Sequence, residues 1–209
     1  MMEFIKQPMA IERRSMELIA PYIEGISLSE AEKKVYSRII HAAGDVEYAP
    51  IIRISETAVA DATAALRSGA DIYTDVEMVR TGINKRKLAS FGGAVHCRIQ
   101  DPEIAAQAKA QGVTRSLAAM RSFGAALTGS VVAIGNAPTA LFEVLRLVRE
   151  EGVRPACIVG IPVGFVGAAD SKKALAENRL VPYILLAQRR EKPRRDRRLA
   201  RAGLCRGNH

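Results

Sequence analysis

Two stretches near the start of the chain place apolar residues at helical spacing. The first predicts a helix that ends near Pro21. The residues on its shared face are Ile11, Ser15, Leu18 and Ile19. The second stretch spans residues 27–44, where Ser29 and Glu32 have the spacing of a capping box and Gly44 is placed to end the helix. We therefore expect two helices at the start of the chain.

Beyond residue 44, short apolar runs alternate with helical patterns. The runs, rich in β-branched residues, cover residues 48–55, 70–75, 94–99, 130–136, 156–162 and 181–188. The helical patterns between them cover residues 56–69, 101–112, 114–127, 137–152 and 170–178. Nearly continuous apolar strands separated by helices of about ten residues or more are typical of a parallel sheet covered on both faces. The pattern therefore predicts a three-layer α/β/α domain.

The composition is that of a globular protein, with 48% hydrophobic and 25% charged residues in a chain of 209. No apolar run approaches the roughly 20 residues that cross a bilayer, and the first residues lack the apolar core of a signal peptide. Cys97, Cys157 and Cys205 are widely separated, which favours reduced thiols over a zinc site or a disulfide framework. We expect a soluble cytoplasmic protein with one domain over residues 1–188.

The net charge of +9 is concentrated at the end of the chain. Nine lysine or arginine residues and two acidic residues follow Ala187, so this segment carries +7 and residues 1–187 carry only +2. The basic character therefore belongs to an arginine-rich tail, residues 189–209, and not to a face of the domain. Nucleic-acid binding through this tail is an alternative function, although the tail has no interleaved aromatic residues.

Three segments that follow predicted strands are candidates for ligand binding. In α/β folds, ligands bind outside the carboxyl ends of the strands, where loops and helix N-termini converge. The candidate residues are Thr74 and Asp75 after one strand, Asn136, Ala137 and Thr139 after a second, and Gly164 and Gly167 after a third. Free N–H groups at the helix start near Asn136 are suited to an anion or carboxylate. The same residues are also common in plain turns, and none forms a P-loop or dinucleotide motif.

Two further side chains have both a structural and a functional interpretation. His41 lies in the last turn of the second predicted helix, where the helix dipole favours the protonated ring. A histidine in this position is often structural, but histidine is also the side chain best suited to donate a proton near neutral pH. Arg115 lies near a predicted helix start, where its charge opposes the dipole. Either a bound carboxylate or plain surface exposure accounts for it.

Taken together, six segments resemble the precorrin-8X methylmutases, the precorrin isomerases of cobalamin biosynthesis. The segments are IERRS (11–15), RIIHAAGD (38–45), TDVEMVRTGI (74–83), GVTRS (112–116), VAIGNAPTALFE (132–143) and GIPVGFVGAADSK (160–172). They occur in the family's order and at its spacing, from about Ile11 to Gln188. The last two segments are specific to the family.

The resemblance implies a fold, an assembly and a reaction. The fold is a flavodoxin-like α/β/α sheet, and the assembly is a homodimer whose active sites lie close to the subunit interface. The reaction moves a methyl group between adjacent ring carbons of precorrin-8X (C-11 to C-12) to give hydrogenobyrinate, or of its cobalt-containing equivalent to give cobyrinate. The resemblance implies no metal or organic cofactor. It aligns the family's histidine, serine and arginine with His41, Ser15 and Arg115.

The chemistry of a methyl shift on a conjugated macrocycle agrees with these assignments. The shift needs no nucleophile or redox partner, but an acid that protonates the imine system lowers the barrier and traps the product. We interpret His41 as that acid. The tetrapyrrole bears many carboxylates, which Arg115 and the loop N–H groups around Asn136 and Gly164 to Gly167 are expected to bind. Apolar Met78 and Phe165 are expected to cover the ring faces.

The chain departs from the family pattern after Gln188, where a glycine-rich turn and a helix of small residues are expected. When arginine codons of the CGN type are read in a frame shifted by one base, they give codons for alanine and other small residues. The tail is therefore either translated out of frame or a genuine disordered basic segment. If the missing turn supplies carboxylate-binding amides, a tetrapyrrole-binding carrier without turnover is the alternative to an isomerase. Neighbouring enzymes of the cobalamin pathway are further candidate partners.

Overall fold

The structure, a computed structural model, describes residues 6–187. Its helices are α1 (Pro8–Ile23), α2 (Glu30–Ala43), α3 (Ala58–Arg67), α4 (Glu77–Gly82), α5 (Lys85–Ala89), α6 (Pro102–Gln111), α7 (Arg115–Phe123), α8 (Pro138–Glu150) and α9 (Ala168–Glu177). Its strands are β1 (Ile52–Ile54), β2 (Ile72–Thr74), β3 (Val95–His96), β4 (Val131–Ile134), β5 (Cys157–Gly160) and β6 (Tyr183–Leu186). Among the helices of residues 6–187, none has both the length and the apolar character needed to cross a membrane. The predicted tail and the predicted domain end at residue 188 lie outside the described residues.

The six strands form one sheet in the order β1-β6-β5-β4-β2-β3. Strands β2 to β6 are parallel, whereas β1 runs antiparallel to β6, with Ile52 opposite Leu186. The five parallel strands have the order of a flavodoxin-like sheet, and the strand order reverses between β2 and β4. The predicted α/β/α fold is confirmed. The expectation of a parallel sheet is wrong at β1, an edge strand that pairs with β6. These two strands are far apart in the chain, so no strand–helix–strand crossover sets their relative direction.

Apolar side chains hold helices against both faces of the sheet. Successive residues of a strand point to opposite faces. Accordingly, Val132 packs with α7, α8 and α9, whereas Val131 packs with α3 and α5. Ile52 lies on the same face of the sheet as Val131 and packs with α1 and α2. The ends of the central strands are therefore held in a rigid frame.

Helix α2 forms where the local signals predict it. The Ser29 hydroxyl accepts the Glu32 N–H at 3.3 Å, and the Glu32 carboxylate accepts the Ser29 N–H at 2.8 Å. Gly44 follows the last turn with φ of 63°, a left-handed conformation that favours glycine. These two ends place His41 in the last turn of the helix.

Helix α1 continues past its predicted end. Pro21 lies inside the helix, which ends at Ile23. A proline removes one backbone donor, but Ile19 and Ile23 are buried against α2, and this packing keeps the last turn in place.

Three short elements differ from the sequence pattern. The first half of the run 48–55 belongs to a 3-10 helix, Val46–Ile51, that includes Pro50. The run 94–99 contributes only the two residues of β3, which pair with Ile72 and Tyr73 of β2. Helices α4 and α5 were not predicted, since each is too short to show a helical period.

Candidate functional site

The carboxyl ends of β2, β4 and β5 lie at one edge of the sheet, where the three predicted segments meet. Strand β4 is followed by the loop 135–137 and strand β5 by the loop 161–167. The strand order reverses between β2 and β4, which is where α/β sheets form ligand crevices. We call this region the carboxyl-edge site; it consists of Asp75, these two loops and the N-termini of α7 and α8.

The side chain of Asp75, which follows β2, is fully buried and contacts the loop that follows β4. Its Oδ1 accepts the Gly135 N–H at 2.9 Å, and its Oδ2 accepts the N–H groups of Asn136 at 2.9 Å and Ala137 at 2.7 Å. Bonds from N–H groups to an ionised acceptor are short and strong. The expectation that these amides bind a substrate carboxylate is therefore corrected, because the chain's own carboxylate occupies them.

Thr74 is also fully buried, immediately before Asp75. Its hydroxyl donates to the His96 carbonyl at 3.1 Å and so ties β2 to β3. In the described part of the chain, neither Thr74 nor Asp75 reaches the surface, and both side chains bind backbone groups beneath the site.

The loops 135–137 and 161–167 are joined by backbone hydrogen bonds. The Ile161 N–H donates to the Ile134 carbonyl at 2.8 Å, and the Val163 N–H donates to the Asn136 carbonyl at 3.2 Å. Gly164 and Gly167 have φ of 121° and 76°, a region that glycine adopts without strain. The two glycines therefore shape the second loop, and the hydrogen bonds make its position depend on the first.

Apolar side chains project from the second loop into solvent. Phe165 and Val166 are almost entirely exposed, and more than half of Val163 is exposed. Met78, in the first turn of α4, is also exposed. Exposed apolar side chains grouped in this way are typical of surfaces that bind a ligand or partner. Met78 and Phe165 are thus accessible for the predicted contact with the ring faces.

Two threonines link the N-termini of α7 and α8. The hydroxyl oxygens of Thr114 and Thr139 lie 2.7 Å apart, and Thr114 also caps α7 by accepting the Leu117 N–H at 3.2 Å. Arg115 follows and is exposed; within residues 6–187 its guanidinium has no hydrogen-bond or ion-pair partner. With Lys109 it lines a groove of about 510 Å³ between α6 and α7. Arg115 is therefore accessible to an anionic ligand.

His41 is half-buried in the last turn of α2. In the described part of the chain its ring has no hydrogen-bond partner. The chain that follows enters β1 at Ile52, opposite the last residue of β6, and so reaches the sheet at the same carboxyl edge. No hydrogen bond or ion pair within residues 6–187 joins His41 to Arg115 or Asn136.

Ser15 lies in the middle of α1, the helix that packs along α2. Its hydroxyl donates to the Ile11 carbonyl at 2.9 Å. Ile11, Leu18 and Tyr22 share its helical spacing and are exposed. Ser15 is therefore a half-buried residue in an otherwise exposed and mostly apolar stripe, next to the helix that carries His41.

Sequence reasoning missed an ion-pair cluster that joins α7 to α8. Glu143 is buried and accepts hydrogen bonds from Arg121 at 2.9 and 3.1 Å and from Arg146 at 3.0 and 2.7 Å. Burial raises the pKa of Glu143, but the two guanidinium groups outweigh it and hold the pKa below its usual value. The cluster fixes the two helices whose N-termini carry Arg115 and Thr139. In the sequence, only the three-residue spacing of Glu143 and Arg146 on one helix could have indicated this cluster.

The described residues offer neither a metal centre nor a reactive thiol. Within residues 6–187, no group of three or more His, Cys, Asp or Glu side chains is arranged to hold a metal ion. Cys97 and Cys157 are free. Burial raises the pKa of Cys157 to about 12, and burial also raises the pKa of Cys97. Neither cysteine is therefore a thiolate at neutral pH.

Comparisons with known proteins match the chain to one family along most of its length. A family model described as precorrin-8X methylmutase (CbiC) matches residues 10–190. The chain is 44% identical to a precorrin-8X methylmutase of a Sinorhizobium species over 90% of this chain and 89% of the relative. It is 38% identical to a cobalt-precorrin-8 methylmutase of Salmonella typhimurium over 90% of each chain. A solved precorrin-8X methyl mutase structure from Thermus thermophilus matches with a TM-score of 0.78, at 37% identity over 87% of each chain.

Proposed function

The chain belongs to the precorrin-8X methylmutase family, an isomerase family of cobalamin biosynthesis, and we propose that the carboxyl-edge site, together with His41, binds and isomerises a carboxylated tetrapyrrole. In this reaction the bond from one ring carbon to the methyl group breaks and a bond from the adjacent carbon forms. Atoms and electrons balance within the substrate. The protein therefore has to hold the ring in a reactive geometry and supply one proton.

The observation that carries the proposal is the free imidazole of His41. Its ring has no hydrogen-bond partner within residues 6–187, and it lies in the last turn of α2. His96 differs: its Nε2 lies 2.8 Å from an Asp71 carboxylate oxygen, and its ring stacks on Tyr73. Of the two described histidines, His41 is therefore the one free to protonate a substrate.

The remaining predicted residues divide by what they offer a tetrapyrrole. Arg115 offers a guanidinium that has no partner in the described part of the chain, and a guanidinium can bind a carboxylate through two parallel hydrogen bonds. Asn136 and Thr139 offer neutral polar groups at the same edge. Met78 and Phe165 offer apolar surface for the macrocycle. The backbone of Ala137, Gly164 and Gly167 contributes the shape of the loops.

We also propose that a homodimer is the active form and that the enzyme is cytoplasmic. The exposed side chains Leu18 and Tyr22 on α1, and Phe165 and Val166 in the loop 161–167, support an assembly in which a second copy covers apolar surface. The free thiols Cys97 and Cys157 support a reducing compartment.

Visible spectroscopy of the purified protein with precorrin-8X and, separately, with cobalt-precorrin-8 tests the function and identifies the preferred substrate. His41→Ala should lower kcat by about 10²- to 10⁴-fold while the pigment still binds. His96→Ala is the matched control and should keep its turnover. Arg115→Ala should chiefly raise KM, by about 10- to 150-fold, because a hydrogen bond to a charged group is worth about 1.5–3 kcal/mol.

Two outcomes would overturn the proposal. Full turnover by His41→Ala would remove the acid from the mechanism. Wild-type protein that binds the pigment and converts neither substrate would favour the carrier alternative over the isomerase.

A further inference from the structure

We propose that Asp75 is a positioning residue for this reaction: an internal anion that occupies the amides of the β2/β4 crevice and holds both loops of the carboxyl-edge site in their working geometry. The proposal rests on the proposed function and extends it to a residue that does not touch substrate. Asp75 has no exposed surface, so it acts only through the groups that it binds.

The contacts of Asp75 show how much of the site depends on it. Its carboxylate accepts three successive backbone N–H groups, those of residues 135–137, at 2.7 to 2.9 Å. These amides immediately precede Pro138, the first residue of α8, so the positive end of the helix dipole also favours an anion here. In many α/β proteins a ligand anion occupies such a place. In this chain an aspartate from the neighbouring strand occupies it.

The effect of Asp75 extends to the second loop through one hydrogen bond. The Asn136 N–H is held by Asp75, and the Asn136 carbonyl accepts the Val163 N–H at 3.2 Å. Val163 begins the exposed stretch that contains Phe165. Asp75 therefore helps to set the positions of the Asn136 side chain and of Phe165, although it contacts neither.

A consequence follows for substrate recognition. Because Asp75 saturates the amides of residues 135–137, these three groups are not available to the carboxylates of the tetrapyrrole. Arg115, whose guanidinium has no partner within residues 6–187, is a cation at this edge that remains available to them. Loss of Asp75 should both loosen the loops and open a competing anion site between β2 and β4.

Chemical rescue with formate tests the proposal. Asp75→Ala leaves three N–H groups around a cavity of the size of the lost carboxylate, and formate is the smallest carboxylate that fits it. We expect kcat/KM of Asp75→Ala to fall by about 10²-fold, the cost of a displacement of about 1 Å. Formate should restore kcat/KM with a saturable dependence and raise the melting temperature of the variant.

Thr74→Ala is the matched control. Thr74 is equally buried and lies next to Asp75, but its hydroxyl binds a carbonyl, so its removal creates no anion site. Formate should change neither the turnover nor the melting temperature of Thr74→Ala, and sodium chloride at equal ionic strength should rescue neither variant.

If Asp75→Ala does not fold, Asp75→Asn is the second variant. Asparagine keeps the shape of the side chain but turns its N–H₂ group, a donor, toward the backbone N–H donors of residues 135–137. The kcat/KM of this variant should then fall at least about tenfold without formate rescue.

Several results would overturn the role of Asp75. The first is a kcat/KM of Asp75→Ala or Asp75→Asn that equals the wild-type value. The second is a formate effect of equal size in Asp75→Ala and Thr74→Ala. The third is a formate-dependent recovery of the melting temperature of Asp75→Ala without recovery of its turnover per folded molecule. The failure of the proposed function would look different, because the wild-type protein itself would then convert neither substrate.

Discussion

Glu143→Gln perturbs the ion-pair cluster between α7 and α8, the helices whose N-termini belong to the carboxyl-edge site. The Glu143 side chain is only 3% exposed and accepts hydrogen bonds from both Arg121 and Arg146. Glutamine keeps the shape of the side chain and one acceptor oxygen, but it removes the charge and turns an N–H₂ group toward two guanidinium groups. The substitution therefore tests the charge of Glu143 with little change in packing.

The expected loss of stability follows from the burial of each partner. Removal of one partner from a buried ion pair costs about 3–5 kcal/mol. The side chains of Arg121 and Arg146 are 40% and 31% exposed, so water compensates part of their loss. We therefore expect a decrease in the free energy of unfolding of about 2–3 kcal/mol. At about 2–4 °C per kcal/mol for a domain of this size, the melting temperature should fall by about 4–12 °C.

Glu150→Gln provides the matched control for urea and thermal unfolding. Glu150 lies on the same helix and contacts the same Arg146 at 3.1 Å, but its side chain is 65% exposed. An exposed ion pair contributes little, so this variant should lose less than about 0.5 kcal/mol. Equal losses in the two variants would refute the argument that burial makes the Glu143 contacts strong.

The pH dependence provides a second test of Glu143. Its pKa in the folded protein lies below the ordinary value of 4.5, so its carboxylate stabilises the fold at neutral pH. This contribution is fully present above the ordinary pKa and is lost as the pH falls through the pKa of the folded state. The stability gap between wild type and Glu143→Gln should thus be constant from about pH 7 to about pH 5 and shrink below about pH 4.5. A gap that stays constant in acid would contradict the assigned pKa shift.

Three further outcomes are expected. Gly135→Ala should lose about 1–3 kcal/mol of stability in thermal unfolding, because the new Cβ overlaps Val79, and Val79→Ala in the same chain should restore part of the loss. At pH 8, alkylation of the native protein followed by mass spectrometry should leave Cys157 unlabelled until the protein is unfolded, since burial raises its pKa to about 12. Leu18→Asp should shift a homodimer toward monomer in analytical ultracentrifugation, and an unchanged mass would exclude the exposed stripe of α1 from the interface.

Much of the fold could be predicted because its signals are local. The capping box at Ser29 and the left-handed Gly44 are contained within α2 itself, and the proline at the first position of α8 is contained within that helix. The alternation of apolar strands with helices predicts the layers, since each strand has to be covered on both faces. The same locality places His41 at a helix end and Arg115 at a helix start, so both were recognisable as candidates before their surroundings were known.

The contacts of the site depended on residues that are distant in sequence. The antiparallel direction of β1 follows from its pairing with β6, and no pattern within residues 48–55 encodes it. Asp75 and the amides of residues 135–137 are separated by 60 or more positions, so their pairing appears only when β2 and β4 become neighbours. Arg121 and Glu143 are 22 positions apart and meet only when α7 packs on α8.

The sequence by itself therefore determined most of the longer elements, the layered fold and the candidate acid, because helical and strand periodicity, caps and turns act over a few residues. Only the tertiary structure decided which polar groups face a ligand and which are used internally. A hydrogen-bond donor near a strand end looks the same in sequence whether it is free or occupied. Asp75 shows the difference: its carboxylate, brought across the sheet by strand pairing, takes the amides that the sequence alone would assign to substrate.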